Sequence, residues 1–166
     1  MKNIFKTLYI HGLDSSPKKN KLNIIKKKST DFSFHLDYRN EKNTFKILSN
    51  CIKENNINSV IGSSFGGMLG YWLSKKHKLP SLLFNPAMHI STDKIYYEIS
   101  DNKSPLTIVI LGKNDEIVNP IKTKEILQKS NNNIKIIECD IGHKIDLITF
   151  KTQVDYFFKL LNNNKT

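Results

Sequence analysis

Three side chains that together can move a proton and open an acyl bond lie far apart in this chain. They are Ser64, Asp115 and His143. A serine hydroxyl is a weak nucleophile until a base takes its proton, and that base needs an acid to hold its ring. Ser64 is the centre of Gly62-Ser63-Ser64-Phe65-Gly66, a G-x-S-x-G pentapeptide. It follows the apolar run Ile57-Asn58-Ser59-Val60-Ile61 and precedes Phe65 to Leu73, which reads as a buried helix. Strand, sharp turn and helix around such a serine form a nucleophile elbow. A turn that tight needs small neighbours, and Gly62, Gly66 and Gly67 supply them.

Asp115 follows the β-branched run Leu106 to Leu111 by a few residues, and His143 follows the run Ile134 to Glu138. Both therefore fall in loops beyond strand C-termini, on the sheet edge where Ser64 lies. The order serine, acid, histidine is the one this kind of elbow uses. Glu116, Asp140 and Asp146 remain alternative acids. Asp140 stands three residues from His143 and has to fold back to reach the same ring. His35 and His77 read as structural or solvated, His77 among lysines at a helix end, and His89 is open.

Attack on a carbonyl places negative charge on its oxygen, which needs two convergent N–H donors. Phe65, directly after the serine, is one source. Leu13, in the loop His11-Gly12-Leu13-Asp14-Ser15-Ser16-Pro17 after the first strand, is the other. His11 reads as a brace for that loop and is also counted among candidate pocket residues. The chain from Met88 to Ser104 is the one candidate cover. Its Met88, Ile90, Ile95, Tyr96 and Tyr97 either line an acyl pocket or pack as an ordinary amphipathic helix. So short a cover predicts an open site with broad selectivity for small acyl groups.

The positioning elements follow from periodicity. Apolar strands are expected near 4–11, 32–37, 57–62, 81–85, 106–111 and 134–138, with helical segments between them. One helix is expected over 17–28, with Ser16 as cap and Pro17 at its first position. Another over 41–54 carries Phe45, Leu48 and Ile52 on one stripe. The last places Leu147, Phe150, Val154, Phe157, Phe158 and Leu161 at helical spacing. Alternation of this kind predicts an α/β fold, a mostly parallel sheet of about six strands covered on both faces. Its 166 residues suit one domain spanning 1–166 with no large lid.

These motifs together resemble the YqiA/YcfP-type small esterases of the α/β-hydrolase superfamily. The matching residues are Tyr9 to Pro17, Ile61 to Gly67, Leu79-Pro80 through Asn85-Pro86-Ala87, Asp115 to Val118, and Gly142-His143. The resemblance implies a minimal α/β-hydrolase fold and a hydrolase of short acyl esters or thioesters without a cofactor. Ser64, Asp115 and His143 carry over as its triad. Ile141-Gly142 lacks the polar residue such proteins often place directly before the histidine.

The net charge of +11 comes from 26 Lys and Arg against 15 Asp and Glu. Only Arg39 is an arginine, and no aromatic interleaving accompanies the lysines, which argues against nucleic acid. The densest cluster, Lys18, Lys19, Lys21, Lys26, Lys27 and Lys28, is either a solvated face or an attraction for an acidic carrier protein or coenzyme A phosphates. Cys51 and Cys139 are the only cysteines. With an N-terminal strand too short and polar for a signal or membrane segment, they read as reduced thiols of a cytoplasmic protein. No cysteine or histidine group has zinc-ligand spacing, so no metal is expected. A fold retained as a binding module without catalysis is the alternative to an enzyme.

Overall fold

In the computed structural model, which describes residues 5–90, 105–129 and 133–163, apolar side chains alternate along each central strand between two separate cores. On β3 (Ser59–Ser63), Val60 faces one core and Ile61 the other. On β5 (Thr107–Gly112), Ile108 and Ile110 point opposite to Val109 and Leu111. Strands buried on both faces carry near-continuous apolar runs, and a parallel sheet between two helical layers is the arrangement that buries them.

The sheet has six strands in the order β2-β1-β3-β4-β5-β6, all neighbours parallel. The remaining strands are β1 (Lys6–Ile10), β2 (Thr30–Phe32), β4 (Ser81–Phe84) and β6 (Ile134–Cys139). α2 (Thr44–Asn55) and α3 (Phe65–His77) cover one face through Leu48, Ile52, Met68 and Leu73. α1 (Lys19–Lys26) and α5 (Leu147–Asn163) cover the other through Ile25, Phe150, Val154 and Phe157. α4 (Pro120–Gln128) starts with Asn119, whose side chain accepts from the Lys122 N–H, and with Pro120 at the first helical position. This is the expected parallel sheet of about six strands, covered on both faces.

Several element boundaries differ from expectation, α2 starting at Thr44 rather than 41 among them, and two of the differences have a bearing on the site. The second strand covers 30–32 rather than 32–37. Phe32, Phe34 and Leu36 do bury against the core at period two, but the Leu36 N–H bonds the His11 ring instead of a neighbouring strand. The first helix begins at Lys19, not Pro17. Lys18 is still extended at φ −79° and ψ 125°, and no side chain caps the helix. Ser16 and Pro17 fall in the irregular stretch before the helix.

The strand order sets where a site can form. β1 sends its chain to β2 on one side, while β3 lies on its other side. Loops leaving β1 and β3 therefore diverge and open a crevice at the carboxyl edge. The loop carrying Leu13 and the turn carrying Ser64 are those two loops.

Candidate active site

Ser64 occupies the turn between β3 and α3 at φ 54° and ψ −121°, a conformation L-residues rarely adopt. The glycines explain how the turn closes. A Cβ on Gly62 would lie 2.4 Å from the Gly66 carbonyl oxygen, and one on Gly66 would lie 2.2 Å from that of His11. Both are far inside contact distance, so no larger residue fits either position. The Ser64 N–H donates to the Phe84 carbonyl at 2.9 Å, and its carbonyl accepts from the Met68 and Ala87 N–H groups at 3.1 Å each. The strained residue is thus held by the strand beside it, the helix after it and the loop after β4. Gly12 closes over it: a Cβ there would sit 3.3 Å from Ser64 Cβ.

Asp115 lies in the loop after β5 with its side chain 1% exposed. Oδ1 accepts the backbone N–H groups of Ile117 and Val118 at 2.9 and 2.8 Å. Oδ2 lies 2.8 Å from His143 Nδ1. With a carboxylate at Nδ1, the neutral ring carries its proton there and keeps Nε2 as the acceptor. Of the alternative acids, Asp140 accepts from the Asn114 side chain, and Asp146 caps α5 through the N–H and hydroxyl of Thr149. Glu116 is exposed.

The loop holding His143 is clamped by a residue that sequence reasoning gave no role. Asn85, buried at the end of β4 with φ 42°, donates through Nδ2 to the carbonyls of Gly142 and His143 at 3.1 and 3.2 Å. Its Oδ1 accepts the Gly112 N–H at 2.7 Å. Gly112 lies so close to the same loop that a Cβ on it would meet the Ile141 oxygen at 2.6 Å. The signal was the Asn-Pro after an apolar strand, which sequence alone reads as a turn.

Ser64 and His143 share two cavities. One, of about 580 Å³, is also lined by Tyr9, Lys21, Lys144 and Leu147. Burial pushes the Tyr9 phenol up to about 12, so it stays neutral. The other, of about 320 Å³, is lined by Leu13, Phe65, Ala87, Ile90 and Val118 and is largely apolar. Phe65 lines only this cavity of the two, and Leu13 lines both. Asp14, in left-handed conformation at φ 52°, anchors the Leu13 loop by accepting from Arg39 Nε at 2.8 Å.

Two expected pocket residues lie elsewhere. His11 is buried behind Gly12 and lines neither cavity. Its Nδ1 bonds the Gly12 carbonyl at 2.8 Å, and its Nε2 accepts the Leu36 N–H at 3.0 Å. Tyr38 adds to this brace by donating to the His11 carbonyl and packing on Phe65. Met88 also turns inward, because the turn at Pro86 sends its side chain into the core with Met68 and Leu83. Ile95, Tyr96 and Tyr97 fall outside the described residues. His77, at the end of α3, bonds the Ser49 hydroxyl at 2.8 Å. Among the described residues, no helix is long and apolar enough to cross a membrane.

A model of the family described as "Uncharacterised protein family (UPF0227)" matches residues 6–104. That span holds the Leu13 loop, the Ser64 turn and Asn85, and it ends before Asp115 and His143. No curated protein matches the sequence. Among solved structures, a carboxylesterase of Bacillus cereus superposes with a TM-score of 0.68 at 14% identity, over 93% of this chain and 88% of its own. A protein assigned to the α/β-hydrolase superfamily, from Xanthomonas campestris pv. campestris, gives 0.73 at 13% identity, over 98% and 99%. A monoacylglycerol lipase of Paleococcus ferrophilus gives 0.71 at 12% identity, over 96% of each chain. The fold is the one these esterases and lipases use. With more than half its length matched by the family model, the chain belongs to the UPF0227 family, of YqiA/YcfP type, on a small α/β-hydrolase fold.

Proposed function

We propose that the protein is a serine hydrolase of small carboxylic esters or thioesters. The observation that carries this reading is the 2.8 Å contact of Asp115 Oδ2 with His143 Nδ1, in a ring that shares both cavities with the strained Ser64. Ser64 Oγ attacks the carbonyl carbon while His143 Nε2 takes its proton, and the π electrons move to the carbonyl oxygen. The N–H groups of Leu13 and Phe65 receive that oxyanion. As it collapses, the C–O or C–S bond breaks and His143 returns the proton to the leaving alcohol or thiol. Water, deprotonated by the same ring, then releases the acid from the acyl-enzyme.

The apolar cavity suits a short acyl chain, and the exposed Leu13 and Ile117 form an apolar mouth to it. The test is hydrolysis of p-nitrophenyl acetate and butyrate by the intact protein. Turnover should fall by about 10⁶ in Ser64→Ala if the three groups act as a unit. Undiminished turnover in that variant contradicts the reading.

A further inference from the structure

The larger cavity beside Ser64 carries charges that ester hydrolysis by itself does not use. A helix N-terminus gathers partial positive charge and free N–H groups, so acidic or neutral capping residues normally stand there. α1 has neither. Its cap position is Lys18, which makes no side-chain cap bond, and its first turn has no acidic residue. Lys18, Lys19 and Lys21 stand there instead.

Lys18, Asn20 and Lys21 line the cavity together with Ser64 and His143. Lys144, the residue after His143, reaches the same cavity from the other loop. Lys21 is half-buried, with its ammonium 5.0 Å from the Phe150 ring centroid. Burial, and then the charge of Lys18, push its pKa down, while Asp146 pulls it back. The two carboxylates on this cavity are engaged elsewhere. Asp14 pairs with Arg39, and Asp146 caps α5. Among the described residues, none of the three lysines is ion-paired to a carboxylate. Two cations at a helix N-terminus, one of them half-buried, and a third from the facing loop form an arrangement that an anion from outside would stabilise.

We propose that Lys18, Lys21 and Lys144 form a subsite for an anionic group, a carboxylate or phosphate, on the leaving-group side of the ester cleaved at Ser64. The proposal rests on the hydrolase reading of Ser64. The side of the bond follows from the two cavities: the apolar one takes the acyl chain, which leaves the lysine-lined one for the alcohol or thiol. The substrate class is therefore an apolar acyl group on an acidic alcohol or thiol.

The test is a set of butyryl esters that differ only in the alcohol, which is neutral, carboxylate-bearing or phosphate-bearing. A fourth ester carries a carboxylate on the acyl side with the neutral alcohol. Charge-assisted hydrogen bonds of this kind predict that kcat/KM for at least one anionic alcohol exceeds the neutral one by about tenfold or more, mainly through KM. Which anion wins identifies the group. The ratio should fall toward one in Lys21→Met combined with Lys144→Met, where the methionine keeps the apolar stem on Phe150. It should also shrink in 0.5 M salt, because screening weakens exposed charge pairs at about a 4 Å Debye length.

A ratio near one in the unaltered protein overturns the subsite and leaves the hydrolase reading intact. So does a preference for the acyl-side carboxylate, or a ratio that both lysine substitutions leave unchanged. If no ester is cleaved and a fluorophosphonate does not label Ser64, the hydrolase reading fails and takes the subsite with it.

Discussion

The side chain of Asn85 reaches from the end of β4 to the backbone carbonyl of His143, at 3.2 Å, and through its oxygen holds the N–H of Gly112 at 2.7 Å. One buried amide thus ties the histidine loop to the strand from which the acid loop departs. Loop residues carry chemistry only as accurately as the scaffold holds them, and here the scaffold acts through Asn85.

Asn85→Ala should therefore act on two levels. It orphans the buried Gly112 N–H, a loss of roughly 1–3 kcal/mol, visible as a lower denaturant midpoint. It also frees the His143 loop, so ester turnover should fall by about tenfold or more in protein that is still folded. Asn85→Asp keeps an acceptor for Gly112 but turns a carboxylate oxygen toward two carbonyl oxygens. Its activity should be lower than that of the alanine variant at neutral pH and recover in part as the carboxylate is protonated. Equal and near-normal activity in both variants would remove Asn85 from the positioning of His143.

Asp115→Asn should keep the fold, because the side-chain oxygen can still accept from Ile117 and Val118. The amide then donates toward Nδ1 and imposes the wrong tautomer on His143, so turnover should drop by about 10⁴. Asp140→Asn and Glu116→Gln should each change it by less than about tenfold. A crippled Asp140→Asn with a normal Asp115→Asn would show that the acid has been misassigned.

Strain at Ser64 has a thermodynamic signature. A non-glycine residue held at φ 54° and ψ −121° costs on the order of 1–3 kcal/mol. Ser64→Gly removes that cost and adds about 0.5–1 kcal/mol of unfolded-state entropy. The glycine variant should therefore be more stable than Ser64→Ala by roughly 1 kcal/mol, although both lack the hydroxyl. An alanine variant as stable as the glycine one would mean that the turn stores no strain.

His11 makes the brace sensitive to pH. Since the Leu36 N–H donates to Nε2, that nitrogen must be unprotonated and the ring neutral. Burial is the main influence that lowers its pKa, the Gly12 carbonyl offsets part of this, and stacked His35 lowers it further. A folded pKa below the unfolded value means that the unfolded chain takes up the proton first on acidification. Stability from this group is therefore complete above about pH 6.5 and falls as pH drops toward the folded pKa. His77 shifts in the same direction through burial and nearby Lys53 and Lys76, so the comparison must be differential. Between pH 7.5 and 5, the unfolding free energy should fall less in His11→Gln than in the unaltered protein. Identical slopes would exclude His11 as a source of the acid sensitivity.

Much of this arrangement could be read from residue types. β3 and β5 announced themselves as short apolar runs because a doubly covered parallel strand has no polar face. The Ser64 turn was legible because its closure demands glycines at two particular places. His11 was legible as a brace of its own loop but its partner Leu36 was not, and the role of Asn85 was not legible at all. Their roles depend on which backbone group of a distant loop comes within 3 Å, and no local pattern encodes that. Met88 had two readings because an apolar residue after a strand reads alike whether it turns toward a cavity or into the core, and it packs in the core. The overlong second strand has a related cause. Phe32, Phe34 and Leu36 carry a real burial period, but the ladder that would make them a strand is replaced by one bond to a histidine.

If Ser64 is an activated nucleophile, active-site labelling of the native protein reports it. The intact protein is treated with a fluorophosphonate, and the modified residue is located by peptide mass spectrometry. One adduct is expected, on Ser64, formed rapidly in native protein. Loss of that adduct is expected after denaturation, and at least a hundredfold slower formation in His143→Ala, since a serine without its base is a weak nucleophile. No adduct on Ser64 in folded protein, or an adduct that forms equally fast without His143, would contradict an activated Ser64.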